Sequence, residues 1–125
     1  MFIFLYNWII NKCRRHDSAY ILNLCRTGDI IALKQVDKTK INSIIETCLD
    51  LAICNFNKNI AEYLFSIGAK PTTDQMKIVC EKNKLEMVEL LLKNGIEPKV
   101  VHRYATSPNI LRMAFRFENK SEIVN

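Results

Sequence analysis

Two glycines, Gly68 and Gly95, each close an apolar stretch, in "IAEYLFSIGAKP" and "MVELLLKNGIEP", and they stand 27 positions apart. Recurrence at such an interval marks helical repeat arrays, in which one supersecondary unit is stacked on the next, and this leaves few other folds open to the chain. From Asp17 onward Ile and Leu recur at three- and four-residue spacing with no sustained alternation, which predicts an all-α fold. The stretch "SAYILNLCRTGDIIALKQV" predicts a helix over about 19–26, a turn at Thr27 and Gly28, and a second helix for which Asp29 is the N-cap. "TCLDLAICN" with "KNIAEYLFSIG", and "TTDQMKIVCEK" with "LEMVELLLKNG", predict two further pairs, stopped at Gly68 and Gly95. "SPNILRMAFRFEN" predicts one more first helix, with Ser107 as cap and Pro108 in the first turn, and "SEIVN" the start of its partner.

These residues carry a family resemblance. "TCLDLA" resembles the T-P-L-H-x-A signature of ankyrin repeats through Thr47, Leu49 and Ala52, with Asp50 in place of the histidine. "GAKP" and "GIEP" resemble that family's G-A-D-P turn, and "NKLEMVELLLKNG" is similar to its G-H-x-E-V-V-x-L-L-L-x-x-G second half. The resemblance implies a short ankyrin-like solenoid with units at about 17–44, 45–72, 73–99 and a partial 100–125. A complete repeat of about 33 residues carries a β-turn finger. Here "GAKPTTDQ" implies a reduced finger, missing or stunted, while "GIEPKVVHRYATSPN" is long enough for a finger or an extra helical turn. Asp50 is expected to replace the histidine's hydrogen bond at the helix start as an acceptor only.

Packing explains the repeated apolar positions. Leu49, Ala52, Ile53, Ile60, Ala61, Tyr63, Leu64 and Phe65 are expected to face sister helices, as are Met76, Val79, Cys80, Met87, Val88, Leu90, Leu91 and Leu92. Burying each large side chain contributes about 1.5–3 kcal/mol, so the stripe needs no cofactor to account for it. The 125 residues, 49% of them apolar, suffice for one modest domain. Five cysteines without a C-x-x-C pair suggest neither a zinc knuckle nor a disulfide framework and fit a reducing compartment. Cys25, Cys54 and Cys80 lie in apolar helical stretches and are expected to pack as small hydrophobes.

The opening "MFIFLYNWII" is too short to span a bilayer and lacks the basic start and cleavage motif of a signal peptide. Two readings stand for residues 1–16: an apolar helix capping the repeat stack, or a membrane contact through Phe2, Leu5, Trp8 and Ile9 backed by Lys12, Arg14 and Arg15.

The formal charge of +5, from 18 basic and 13 acidic residues, permits an acidic partner. Basic residues are scattered without interleaved aromatics, which argues against nucleic acid. The two histidines, His16 and His102, fall in no metal or nucleophile motif, and three glycines leave no phosphate-cradling loop. No cofactor, metal or catalytic residue is therefore expected. Function is expected to be protein–protein recognition, with Lys77, Glu81, Lys82, His102, Arg112 and Arg116 as candidate contacts, and Thr47, Leu49, Asp50, Ala52, Gly68 and Gly95 as the structural motif. Abundant Ile, Asn, Lys and Phe resemble short ankyrin proteins of large cytoplasmic DNA viruses and intracellular bacteria, which implies a host regulatory protein as partner and the host cytoplasm as location. The alternatives are a small protein held at a membrane by residues 2–10, or a decayed fragment of a longer ankyrin protein. On the truncated-stack view, Ile110, Met113 and Phe117 are expected to lack cover, and residues from about 119 onward to be poorly ordered.

Overall fold

Every regular element among the described residues is a helix, and side-chain caps mark the start of several of them. The computed structural model describes residues 18–124, with side chains through Asn119. The apolar run with Phe2, Leu5, Trp8 and Ile9, together with Cys13 and His16, lies outside the described residues, so neither reading of it meets a structural observation. No described helix is long and apolar enough to cross a membrane.

The chain divides into two compact units, one ending at Gly68 and the other beginning at Ala69. The first holds α1 (Ser18–Thr27), α2 (Ile30–Lys34), α3 (Lys38–Asn42), α4 (Ile45–Cys54) and α5 (Lys58–Ser66). Helix α1 packs Ile21, Leu24 and Cys25 toward α4, whose Cys48, Leu49, Ala52 and Ile53 are buried, and α4 also packs on α5 with its buried Ile60, Ala61 and Leu64. The Asp29 carboxylate accepts from the Ala32 amide at 3.1 Å, as its N-cap role requires. The helix it opens is only five residues long, because Asp37 accepts from the Thr39 amide at 3.0 Å and starts α3 as a separate turn.

The second unit holds α6 (Thr73–Glu81), α7 (Leu85–Lys93), α8 (Pro98–Tyr104) and α9 (Pro108–Val124). Thr72 and Gln75 form a reciprocal capping box at the start of α6, with Thr72 Oγ1 accepting at 3.2 Å and Gln75 Oε1 at 3.0 Å. Gln75, 3% exposed, is thereby a buried polar residue with its oxygen satisfied. Helix α6 packs on α7 and α8, and α9 packs on α7 and α8. The segment expected to form a finger or an extra turn is thus α8, begun by Pro98 and buried through Val101.

That arrangement corrects the end of the chain. Instead of a helix broken after about residue 119, α9 runs unbroken for 17 residues to Val124, since "FENKSEIV" contains no glycine or proline to stop it. Its expected uncovered face is covered: Ile110 and Met113 are buried and Phe117 half-buried, because α8 supplies the neighbour that the sequence reading lacked. The other core expectations hold, with Tyr63 and Phe65 half-buried and the rest of the two sets buried. Cys54 departs from expectation, for it closes α4 on the exposed side. Thr47 and Asp50 lie inside α4, which begins two residues before Thr47, so Asp50 is past the helix start that the resemblance implied.

One turn recurs. After α1, α4 and α6 the chain passes through a single positive-φ residue, Gly28 (86°), Phe56 (56°) and Asn83 (54°), spaced 28 and 27 residues apart. In each case the following amide, of Asp29, Asn57 or Lys84, reaches back five residues to the carbonyl of Leu24, Ala52 or Val79, at 3.1, 2.8 and 3.0 Å. This is the hydrogen bonding of a Schellman stop, which satisfies carbonyls left over at a helix end.

Candidate functional site

The recurring turn fixes which positions of α4 and α6 correspond, since Phe56 and Asn83 play the same part. Three of the four buried pairs then match in kind, Leu49 with Met76, Ala52 with Val79 and Ile53 with Cys80, while Cys48 corresponds to the capping-box residue Gln75. Exposed ones do not, for Asp50, Cys54 and Asn55 correspond to Lys77, Glu81 and Lys82. Lys77 and Glu81 lie one helical turn apart on the outer face of α6, and Lys82 is its C-cap.

A second set of contacts ties helix pairs together, and the sequence reading did not anticipate it. Asn57 Nδ2 donates to the carbonyls of Cys25 and Arg26, both at 3.0 Å, and its Oδ1 lies 3.0 Å from where a Cβ on Gly28 would stand. In the other unit, Thr106 Oγ1 donates to the Cys80 carbonyl at 2.8 Å and Ser107 Oγ to Asn83 Oδ1 at 2.9 Å. Asn57 precedes α5 and Thr106 precedes α9, so in both units the turn before one helix caps the carbonyl end of another. Side-chain identity differs between the two, which hid the pattern from a residue-by-residue comparison.

His102 belongs to a third group. Its Nε2 lies 2.7 Å from Glu118 Oε1 and, against an ionised carboxylate, is the donor. The imidazole also meets the Phe115 ring edge-on, with centroids 4.9 Å apart and planes at 65°. Phe115 is 53% exposed although it lies on the same helix as buried Ile110, Met113 and Ala114. Arg112 and Arg116 flank it in sequence on the exposed side of α9. The structure therefore brings together His102, Phe115 and Glu118, and sets Arg112 and Arg116 beside them, while Lys77, Glu81 and Lys82 stand apart on α6. Sequence periodicity left Phe115 and Glu118 unassigned, although both fall off the apolar stripe of α9.

Thiol chemistry is governed by burial. The Cys25 thiol donates to Cys48 across the α1–α4 packing, and that bond with burial holds Cys25 well above the ordinary thiol range. The same bond favours Cys48 as the first of the two to ionise, against its burial. Burial, then the Glu81 charge, pushes Cys80 up to about 11. No group of three or more His, Cys, Asp or Glu able to hold a metal occurs among the described residues. One open groove of about 380 Å³ is lined by Ile30, Lys34, Asn59, Glu62, Tyr63 and Ser66, and another of about 380 Å³ by residues 42–47. Neither lining includes a histidine or cysteine. In the first, Glu62 pairs with Lys58 at 3.8 Å.

Fold and surface define an all-α protein of paired short helices. Compared with protein-family models, curated proteins and solved structures, the chain finds no match in any of the three.

Proposed function

We propose that this protein is a non-catalytic recognition module, an ankyrin-like helical repeat that engages another protein through the outer faces of its helices. The observation that carries the proposal is the turn repeated at Gly28, Phe56 and Asn83, combined with corresponding helices whose apolar core positions match at three of four places while their exposed charges differ. A scaffold that repeats its interior and varies its exterior suits display of a surface more than assembly of a reaction centre. Preformed helices lose little conformational entropy on docking, so exposed charges such as Lys77, Glu81, Lys82, Arg112 and Arg116 contribute specificity at modest buried area. The resemblance of the amino-acid composition to that of short ankyrin proteins of large cytoplasmic DNA viruses and intracellular bacteria implies a host regulatory protein as the partner.

Capture of partners on the full chain, followed by titration of the identified protein, tests this. Charge reversal at Lys77 and Lys82, or at Arg112 and Arg116, is expected to weaken binding about tenfold or more in at least one of the two double variants. Specific retention of no protein, or affinity unchanged from the native chain in both double variants, refutes it.

A further inference from the structure

We propose that the exposed face of α9, where Phe115 stands beside Arg112 and Arg116, docks an acidic peptide segment of a partner protein carrying one aromatic or aliphatic anchor residue. This rests on the recognition reading above and specifies the surface and the chemistry of what it binds.

The first argument is apolar. Phe115, Ile31 and Leu85 are the large apolar side chains counted as exposed among the described residues, and Phe115 is the one aromatic. Its exposure is not that of a loose side chain, because the His102 ring packs against its edge and Glu118 holds His102 in place. An aromatic surface whose partner groups are already fixed binds with less ordering cost, as interface anchors do.

The second argument is charge. Glu118 is the one acidic residue of α9 whose side chain is described, and His102 occupies it. None of the four ion pairs found among the described residues includes Arg112 or Arg116. Four residues apart on a helix, Arg112 and Arg116 stand about 6 Å apart along the axis. That separation suits two carboxylates on one face of an extended or helical peptide, each able to accept paired hydrogen bonds from a guanidinium. Complementary charge sets the register while Phe115 supplies the apolar contact. Single-stranded nucleic acid is the weaker fit, since base recognition of that kind stacks successive bases on several aromatic rings and this face presents one.

Selecting a phage-displayed library of random dodecapeptides on the immobilised full chain supplies the probe, and fluorescein-labelled synthetic copies give affinities by anisotropy. Selected peptides are expected to be rich in Asp and Glu around one aromatic or aliphatic residue. Phe115→Ser, and Arg112→Gln with Arg116→Gln, are each expected to weaken them about tenfold, with circular dichroism confirming unchanged helicity. Lys77→Gln with Lys82→Gln is expected to leave them unchanged. Peptides without acidic enrichment, peptides unaffected by the α9 variants, or no selection at all overturn the proposal. Tighter binding of a fluorescein-labelled oligo-dT with the same dependence on Phe115 and the arginines overturns it in favour of nucleic acid. Peptides lost only in the Lys77 and Lys82 variant overturn the α9 surface while leaving the recognition reading standing.

Discussion

Asn57 offers the sharpest test of how one helix pair is fastened to another. It stands at the N-cap position of α5, where Asn and Asp are usually interchangeable, yet its side chain makes no capping hydrogen bond. The amide instead donates twice, to the carbonyls of Cys25 and Arg26 at 3.0 Å each, across 32 and 31 residues of chain. Each such neutral bond contributes about 0.5–1.5 kcal/mol net, so Asn57→Ala is expected to cost about 1–3 kcal/mol. Asn57→Asp separates the two roles. As a cap it would be neutral, but as a clamp it replaces a donor by an ionised acceptor facing two carbonyls, and it is expected to cost at least as much as the change to alanine. Urea denaturation of the full chain followed by far-ultraviolet circular dichroism measures both, and at pH 7 the native chain is expected to be the most stable, Asn57→Ala next and Asn57→Asp the least. Stability of Asn57→Asp equal to that of the native chain would refute the clamp and return Asn57 to an ordinary helix start.

Four further outcomes are expected. Ala52→Leu overpacks a fully buried position between helices and should cost about 1–3 kcal/mol, read as a lower denaturation midpoint; an unchanged midpoint would put the helix register in error. Gly68→Ala meets no atom within 4 Å, so its cost, about 1–2 kcal/mol, should come from the backbone at φ 113° alone. Stability should fall as pH rises from about 9 to about 11, because Cys80 stays protonated in the folded chain while its unfolded form ionises, and Cys80→Ala should flatten part of that fall. Val101→Ala should cost about 2 kcal/mol by lost burial, whereas Val100→Ala, half-buried on the same helix, should be near neutral because alanine is the better helix former; equal effects at both would argue against a packed α8.

Periodicity made the helices and most of the core legible, because burial of Leu49, Ile53, Leu64, Met76 and Leu91 leaves a three-to-four spacing that nothing else produces. Its failures have separate causes. Asp37 opens α3 just beyond "GDIIALKQV", where Ile41 is the one buried residue of a five-residue helix, too short to leave a periodicity of its own. In "GIEPKVVHRYATSP" two buried residues, Ile96 before the helix and Val101 within it, are too little signal to announce α8, and without α8 its partner α9 looks like a first helix short of cover. The candidate site was legible as single exposed residues, His102 among them, and not as a group. Arg112 and Arg116 could be named from the sequence, but that Phe115 is held by His102, and His102 by Glu118, depends on α8 and α9 lying side by side.

The turn at Phe56 explains why the repetition is stronger in the backbone than in the residues. A left-handed conformation is natural for Gly28 and tolerable for Asn83, but for a bulky side chain it costs on the order of 1 kcal/mol or more. Phe56 adopts it all the same, and the amide that follows makes the shortest of the three equivalent hydrogen bonds, 2.8 Å to the Ala52 carbonyl against 3.1 and 3.0 Å. That bond satisfies a carbonyl that the end of α4 leaves over, and next to it Asn57 fastens α1 to the same turn. The strain is therefore offset by contacts that exist only if the helix stops there. Residues as different as Gly, Phe and Asn therefore serve at such a position as long as the stop is kept, and the geometry persists where a sequence signature does not.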